Sequence, residues 1–198
     1  LRGLVGSEMC IRDRVIPEIF LSLSIMFLLI FGVFKKNSSI LIHGISLIVL
    51  LFTTVIIFNE TLSLEKTLLF KDGVIIDYLS SFMKMVTLLA AFFVLLISSS
   101  YLNTFKILKI EYPILILSSV LGMMIMISSN DLMVFYMGLE LQSLALYVLA
   151  TFNRDQLKSS EAGLKYFVLS ALSSGLLLYG CSLISVSYTH LRAHETSQ

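Results

Sequence analysis

Two ionisable residues, Glu140 and Lys165, lie in successive apolar runs and could exchange a proton. Glu140 is near the middle of Asp131–Phe152, which carries no other charge after its first residue, and Lys165 is near the start of Ala162–Ser185. A carboxylate at the centre of a bilayer costs about 2.5–3.5 kcal/mol on insertion scales. Such residues normally face a protein interior or a water-filled path, and they are typical of proton or ion movement.

The chemistry that this pair predicts is a switchable acid and base. A medium of low polarity favours the neutral form of each group, whereas a nearby opposite charge favours both charged forms. If the two runs form an antiparallel helix pair, Lys165 lies about 5–10 Å nearer their connecting loop than Glu140 at 1.5 Å per residue. Either a direct contact or a bridging water could close that gap.

Further polar residues could extend a proton path. Lys84 lies seven residues after Asp77 in an earlier apolar run, so we expect it either to join the path or to reach external water. Hydroxyl groups and an amide for hydrogen bonds or ordered water are supplied by Gln142, Ser143, Ser170, Ser173 and Ser174. The alternative role of these residues is packing, because small side chains let membrane helices approach closely.

The charged residues also have structural explanations. Glu161 lies four residues before Lys165, a spacing that favours a helical ion pair worth about 0.2–0.5 kcal/mol. With that partner, Lys165 could extend to the bilayer surface. Glu140 could serve only to hold helices together. His43 lies close to the start of its apolar run, and we expect it at the membrane interface.

The elements that position these residues are predicted to be membrane helices. The 198 residues are 57% hydrophobic and 14% charged, with a mean hydropathy of +0.94, whereas soluble domains carry about 25% charged residues. Backbone groups in lipid must hydrogen-bond within the protein, and about 20 helical residues cross a bilayer. Six runs of that length predict an all-α, polytopic bundle: Val15–Phe34, Ile40–Phe58, Leu79–Tyr101, Pro113–Ser129, Leu132–Phe152 and Ala162–Ser185.

The connecting loops predict the orientation of this bundle. Loops one, three and five contain six basic residues, namely Lys35, Lys36, Lys106, Lys109, Arg154 and Lys158, whereas loops two and four contain two, Lys66 and Lys71. Because basic residues are enriched in cytoplasmic loops, loops one, three and five are predicted to lie in the cytoplasm. The first helix is therefore predicted to begin at Val15 on the periplasmic side. The longest loop, Asn59–Asp77, is predicted to form an external hairpin or a short amphipathic piece. Asn130 or Asp131 is expected to cap the fifth helix.

The two ends differ from the middle. Residues 1–14 and 186–198 are mixed polar segments that lack an amphipathic period and meet the apolar runs abruptly. Both resemble translated sequencing-adapter read-through, so we expect residues 15–185 to be a fragment of a longer protein. Ordinary extramembrane tails are the alternative. The net charge of +1 indicates no nucleic-acid partner, and without Cys-x-x-Cys or glycine-rich phosphate motifs we expect no bound metal, nucleotide or haem.

The segments around both ionisable residues resemble one family. GLELQSLALYVL, which contains Glu140, and EAGLKYF, which contains Lys165, are similar to subunit N of bacterial proton-pumping NADH:quinone oxidoreductase (complex I), whose mitochondrial relative is subunit 2. The opening VIPEIFLSLSIMFLLIFGVF and the pair Asp77-Tyr78 are also similar, so the resemblance covers essentially all of Val15–Ser185. The sister antiporter-like subunits have different residues around their equivalent glutamate.

The resemblance implies an antiporter-like fold of about fourteen helices with inverted repeats, of which this chain supplies the N-terminal part. It implies that Glu140 and Lys165 form the proton-transfer couple, and that further lysines of the path lie beyond Ser185. NADH, FMN, iron–sulfur clusters and quinone would bind to other subunits, leaving no cofactor here. The implied partners are other membrane-arm subunits in the bacterial inner membrane. The alternative is a subunit of a multisubunit cation/proton antiporter, which shares this bundle.

Overall fold

The computed structural model describes residues 15–34, 39–61, 67–69, 73–104, 110–152 and 156–195. This part of the chain contains six helices and one two-stranded sheet: α1 Ile16–Phe34, α2 Ser39–Thr61, β1 Thr67–Leu69, β2 Val74–Ile76, α3 Tyr78–Thr104, α4 Glu111–Ser128, α5 Leu132–Ala150 and α6 Leu157–Glu195. Each of the six described helices is long and apolar enough to cross a membrane. The predicted all-α, multi-pass architecture is confirmed.

The helix ends differ from the apolar runs mainly at α6. This helix begins at Leu157, before the predicted start at Ala162, and its backbone stays helical to Glu195. Hydrophobicity marks the part of a helix that suits lipid, whereas polar residues such as Lys158 and Glu161 can continue the same helix into water. The predicted division between bundle and tail at Ser185 stays a prediction. Residues outside the described ranges include the predicted tail 1–14 and the loop residues Lys35, Lys36, Lys66, Lys71, Lys106, Lys109 and Arg154.

The core forms where four helices turn one stripe toward a common centre. Fully buried residues recur seven positions apart, or about two helical turns: Leu21 and Leu28 in α1, Leu50 and Ile57 in α2, Leu88 and Leu95 in α3, and Leu117 and Met124 in α4. Helix α4 is central, because it contacts α1, α2, α3 and α5. Helix α6 packs against α5, and most of Leu157–Ser185 is exposed.

The predicted hairpin is confirmed in the longest loop. Strands β1 and β2 pair antiparallel, with Thr67 opposite Ile76 and Leu69 opposite Val74. The hairpin meets the turn between α4 and α5, where the Asn130 amide donates a hydrogen bond to the Gly73 carbonyl (3.0 Å). Asp131 occupies the predicted N-cap position of α5, but its side chain makes no capping hydrogen bond.

Two glycines allow α4 and α5 to approach backbone to backbone. A β-carbon added to Gly122 would lie 2.6 Å from the Gln142 amide nitrogen, and one added to Gly138 would lie 2.8 Å from the Met126 amide nitrogen. Membrane helices use small residues in this way, since close packing rather than hydrophobicity drives their association in lipid. This contact fixes the height of α5 in the bundle, and with it the position of Glu140.

We expect Gly138→Ala to destabilise the bundle, because the added methyl group meets the backbone of α4. The cost of such overpacking is about 1–3 kcal/mol, measurable as a lower midpoint in thermal unfolding of the protein in detergent. Gly44→Ala is the matched control, since nothing lies within 4 Å of a β-carbon there. Equal midpoints for both variants would contradict the close contact.

Candidate functional site

Glu140 carries a buried carboxyl oxygen that no described residue satisfies. The side chain is half-buried, and its Oε1 atom is inaccessible and has no hydrogen-bond partner in the described part of the chain. The nearby Ser143 hydroxyl donates to the Glu140 main-chain carbonyl (3.0 Å), not to the carboxyl group. A buried polar atom is costly unless it gains a partner, so this oxygen is a place where a proton or a water molecule would be stabilised.

Lys165 is paired with Glu161 in the structure. Its Nζ atom lies 2.5 Å from Glu161 Oε1, and the two side chains are 67% and 55% exposed. This is the helical ion pair that the sequence indicated as a structural explanation for Lys165. A direct contact between Lys165 and Glu140 is therefore not present, and their role as a proton couple stays a prediction.

The register of α5 against α6 explains why the two residues do not meet. The rings of Tyr147 and Tyr166 lie 4.9 Å apart, and Gly163 packs against the Thr151 side chain. This pairing places Lys165 eight or nine residues from the level of Glu140, or about 12–13 Å at 1.5 Å per residue. The separation is larger than the 5–10 Å expected from the sequence, because that estimate corresponds to a bend between the helices that is closer to Glu140 than the observed one.

The residues predicted for the proton path lie at different heights along α5 and α6. The same register brings Ser173 and Ser174 to the level of Glu140. Ser173 is exposed and Ser174 is half-buried; the Ser174 hydroxyl donates to the Ala171 carbonyl (3.2 Å) and keeps lone pairs free to accept. Ser170 and Gln142 are half-buried. Hydroxyl groups of α6 therefore lie nearer to the Glu140 level than the Lys165 amine does.

Lys84 lies inside the bundle, paired with Glu18 of α1. Its Nζ atom is 2.5 Å from Glu18 Oε1, and the side chains are only 4% and 13% exposed. The expectation that Lys84 could reach external water is wrong, because Lys84 shares the inward stripe of α3 with Leu88 and Leu95. Removing one partner of a buried ion pair costs about 3–5 kcal/mol, since the other charge is left uncompensated.

Glu18 is a site residue that the sequence interpretation missed. An acidic residue in the first turn of a helix is common, because it complements the positive end of the helix dipole. The available signal was periodicity: Glu18, Leu21, Ile25 and Leu28 are spaced by three or four residues, and the three apolar members are buried. A charge on that stripe must face the bundle and needs a partner there.

His43 is also buried, so the expectation of an interfacial side chain is wrong. It is 6% exposed, and its Nε2 atom hydrogen-bonds to the Leu95 carbonyl of α3 (3.1 Å). Because a carbonyl only accepts, Nε2 must carry the proton. His43 is thus near the N-terminal end of α2, but its side chain faces the neighbouring helix α3.

Comparison with known proteins finds similar proteins over most of this chain. The family model for the transmembrane part of NADH:quinone oxidoreductase and Mrp antiporter subunits matches residues 129–197. NADH-quinone oxidoreductase subunit N of Pelagibacter ubique (strain HTCC1062) is 69% identical over 170 residues, covering 86% of this chain and 36% of that protein. The protein of the same name from Bartonella bacilliformis is 50% identical over 171 residues, covering 86% of this chain and 34% of that protein.

Two solved structures share the fold. Respiratory complex I from Thermus thermophilus matches with a TM-score of 0.70 and 23% identity, covering 85% of this chain and 36% of the matched chain. An archaeal respiratory membrane complex, the membrane-bound sulfane sulfur reductase, matches with a TM-score of 0.68 and 21% identity over the same shares. The chain spans about a third of the length of the curated relatives it matches. Over the residues that align, this multi-pass membrane chain is similar to NADH-quinone oxidoreductase subunit N proteins at up to 69% identity, which confirms the resemblance that its sequence predicted.

Proposed function

We propose that the complete subunit translocates protons in the membrane arm of NADH:quinone oxidoreductase. The observation that carries this proposal is the 69% identity with a subunit N, joined to a carboxyl oxygen of Glu140 left buried and unsatisfied by the described residues of a spanning helix. Electrons would pass from NADH to quinone through FMN and iron–sulfur clusters on other subunits. This subunit would use the released energy without a redox cofactor of its own.

In this proposal Glu140 takes up and releases the proton, and Lys165 controls when it does so. The exposed Lys165–Glu161 pair is worth only about 0.3–0.5 kcal/mol. That is less than the roughly 2.5–3.5 kcal/mol that a charged carboxylate costs at mid-membrane depth. Lys165 can therefore leave Glu161 at little cost. Water or the hydroxyls of α6 would have to bridge the remaining distance to Glu140.

The environment of Lys165 would differ in the complete subunit. The curated relatives are almost three times as long as the aligned part of this chain, and α6 exposes most of its apolar surface in the described part of the bundle. We infer that further helices pack on α6 and enclose Lys165. The other proposed contacts are with neighbouring membrane-arm subunits. The proposed location is the bacterial inner membrane, with Val15 on the periplasmic side, as the basic loop residues indicate.

A second candidate is a subunit of a multisubunit cation/proton antiporter. The matching family model covers Mrp antiporter subunits as well, and the shared bundle would suit exchange of sodium or potassium for protons. A third role is purely structural, in which the subunit holds the membrane arm together and Glu140 carries no proton.

Replacing the proposed couple should lower proton pumping in an assembled complex. Glu140→Gln keeps the shape of the side chain but removes its ability to bind a proton, and Lys165→Ala removes the amine. Each variant, in the complete subunit and reconstituted into vesicles, should pump fewer protons per NADH oxidised. Glu161→Gln is the control, because it removes the surface partner of Lys165 and should leave the ratio near the wild-type value. A normal ratio in the assembled double variant would reject the couple.

Membrane vesicles should separate the candidate functions. Our proposal predicts that the vesicle interior becomes acidic when NADH is added, and that this acidification stops when electron transfer to quinone is blocked. An imposed sodium gradient that drives protons without NADH would instead support the antiporter. The structural role predicts unchanged transport in Glu140→Gln together with failed assembly when the subunit is deleted.

A further inference from the structure

A cleft at the hairpin end of the bundle leads to the buried Glu18–Lys84 pair. It has a volume of about 260 Å³ and lies between α1, β2 and α4. Its polar lining comes from Glu18, Ser22 and Ser128, and the rest of its lining is apolar: Val15, Ile19, Val74, Ile76, Leu121 and Ile125.

Each polar side chain that lines the cleft offers a hydrogen-bond acceptor. The Ser22 hydroxyl donates its proton to the Ile19 carbonyl (2.8 Å), and the Ser128 hydroxyl donates to the Met124 carbonyl (3.2 Å). Both oxygens keep lone pairs. Glu18 Oε2 is buried and has no partner among the described residues, while Oε1 holds Lys84. The polar part of this lining therefore complements a hydrogen-bond donor, such as water or a protonated water cluster.

The ion pair beside the cleft is a poor choice for anchoring alone. Charges removed from water lose hydration that their mutual attraction only partly restores, so an apolar contact of the same volume can hold two helices as well or better. The two groups can, however, exchange protons, because loss of either charge leaves the other charge uncompensated inside the protein. A buried ion pair next to a cleft whose polar lining offers hydrogen-bond acceptors has the arrangement of a proton-exchange site.

We propose that Glu18 and Lys84 form a second proton-transfer couple, which exchanges protons with water in this cleft. This inference rests on the proposed proton-translocating function. Glu18 Oε2 is inaccessible in the structure, so the carboxyl group must first turn toward the cleft; a hydronium ion there then gives Oε2 one proton and leaves a water molecule. The neutral carboxyl group no longer balances the Lys84 ammonium, which gives its proton to a water molecule on the interior side and becomes a neutral amine. Transfer of the proton from Glu18 to the Lys84 amine then restores the charged pair, so one cycle moves one proton and no electrons.

The charge arrangement favours a proton over a metal cation. A sodium ion in the cleft would keep its positive charge close to the Lys84 ammonium, which lies 2.5 Å from the same carboxylate, whereas a proton neutralises the carboxylate. Glu18 is the titratable residue among the described residues that line the cleft. Other described acidic residues at this end of the bundle, Glu60, Asp77 and Asp131, do not line it.

The test compares variants of Glu18 in the complete subunit within the assembled complex, in sodium-free vesicles. Glu18→Gln should lower the number of protons pumped per NADH, and Glu18→Asp should keep most of it. Ser24→Ala is the control, because its hydroxyl bonds within α1 to the Phe20 carbonyl and lies outside the cleft lining. A wild-type ratio in Glu18→Gln, or pumping that requires added sodium, would overturn the proposal.

A double variant in which the two charged residues exchange places separates a proton-transfer role of the pair from a structural one. Glu18→Lys combined with Lys84→Glu restores an ion pair between α1 and α3 but places the ammonium beside the cleft. We expect this variant to assemble and to pump poorly; a wild-type ratio would show that the pair only holds the helices. Glu140→Gln is measured in parallel. If it lowers the ratio and Glu18→Gln does not, this inference alone fails, whereas no NADH-driven pumping in the wild-type complex rejects the proposed function itself.

Discussion

Hydrocarbon offers no partner for a backbone hydrogen bond or a charge, and this constraint governs the whole bundle. It requires the six described spans to be helices and turns their polar side chains toward one another. Glu18 and Lys84 satisfy the requirement in part as a buried pair between α1 and α3, because Glu18 Oε2 has no partner among the described residues. His43 also satisfies it in part, through the Leu95 carbonyl. Glu140 Oε1 has no partner within the described chain, which is why we propose its carboxyl group as the place for a mobile proton.

Packing determines where these groups lie relative to one another. Gly122 and Gly138 bring α4 and α5 into backbone contact, so the height of Glu140 is set by two residues without side chains. The aromatic contact between Tyr147 and Tyr166 sets the register of α6, which places serine hydroxyls, and not the Lys165 amine, at the level of Glu140. The proposed proton transfer would then depend on how far Lys165 and water can move within a fixed helical frame.

The sequence predicted the helices well because long apolar runs have few stable alternatives in lipid. It predicted Glu140 as an exceptional charge for the same reason. It did not predict the Glu18–Lys84 pair, because the partners lie 66 residues apart and Glu18 resembles an ordinary first-turn acid. The predicted distance between Glu140 and Lys165 was too short, since a loop sequence does not specify how two helices slide past each other. His43 was misplaced because distance from a helix end says nothing about which way a side chain points.

We propose that Glu140 holds a proton inside the protein rather than serving as a passive polar contact. A high-resolution structure of the complete subunit in its assembled complex tests it most directly. We expect Glu140 Oε1 to hydrogen-bond to ordered water or to a polar side chain, in a continuous polar route toward Lys165. A carboxyl group facing lipid, or one enclosed by apolar side chains with no polar route to the amine, would contradict it.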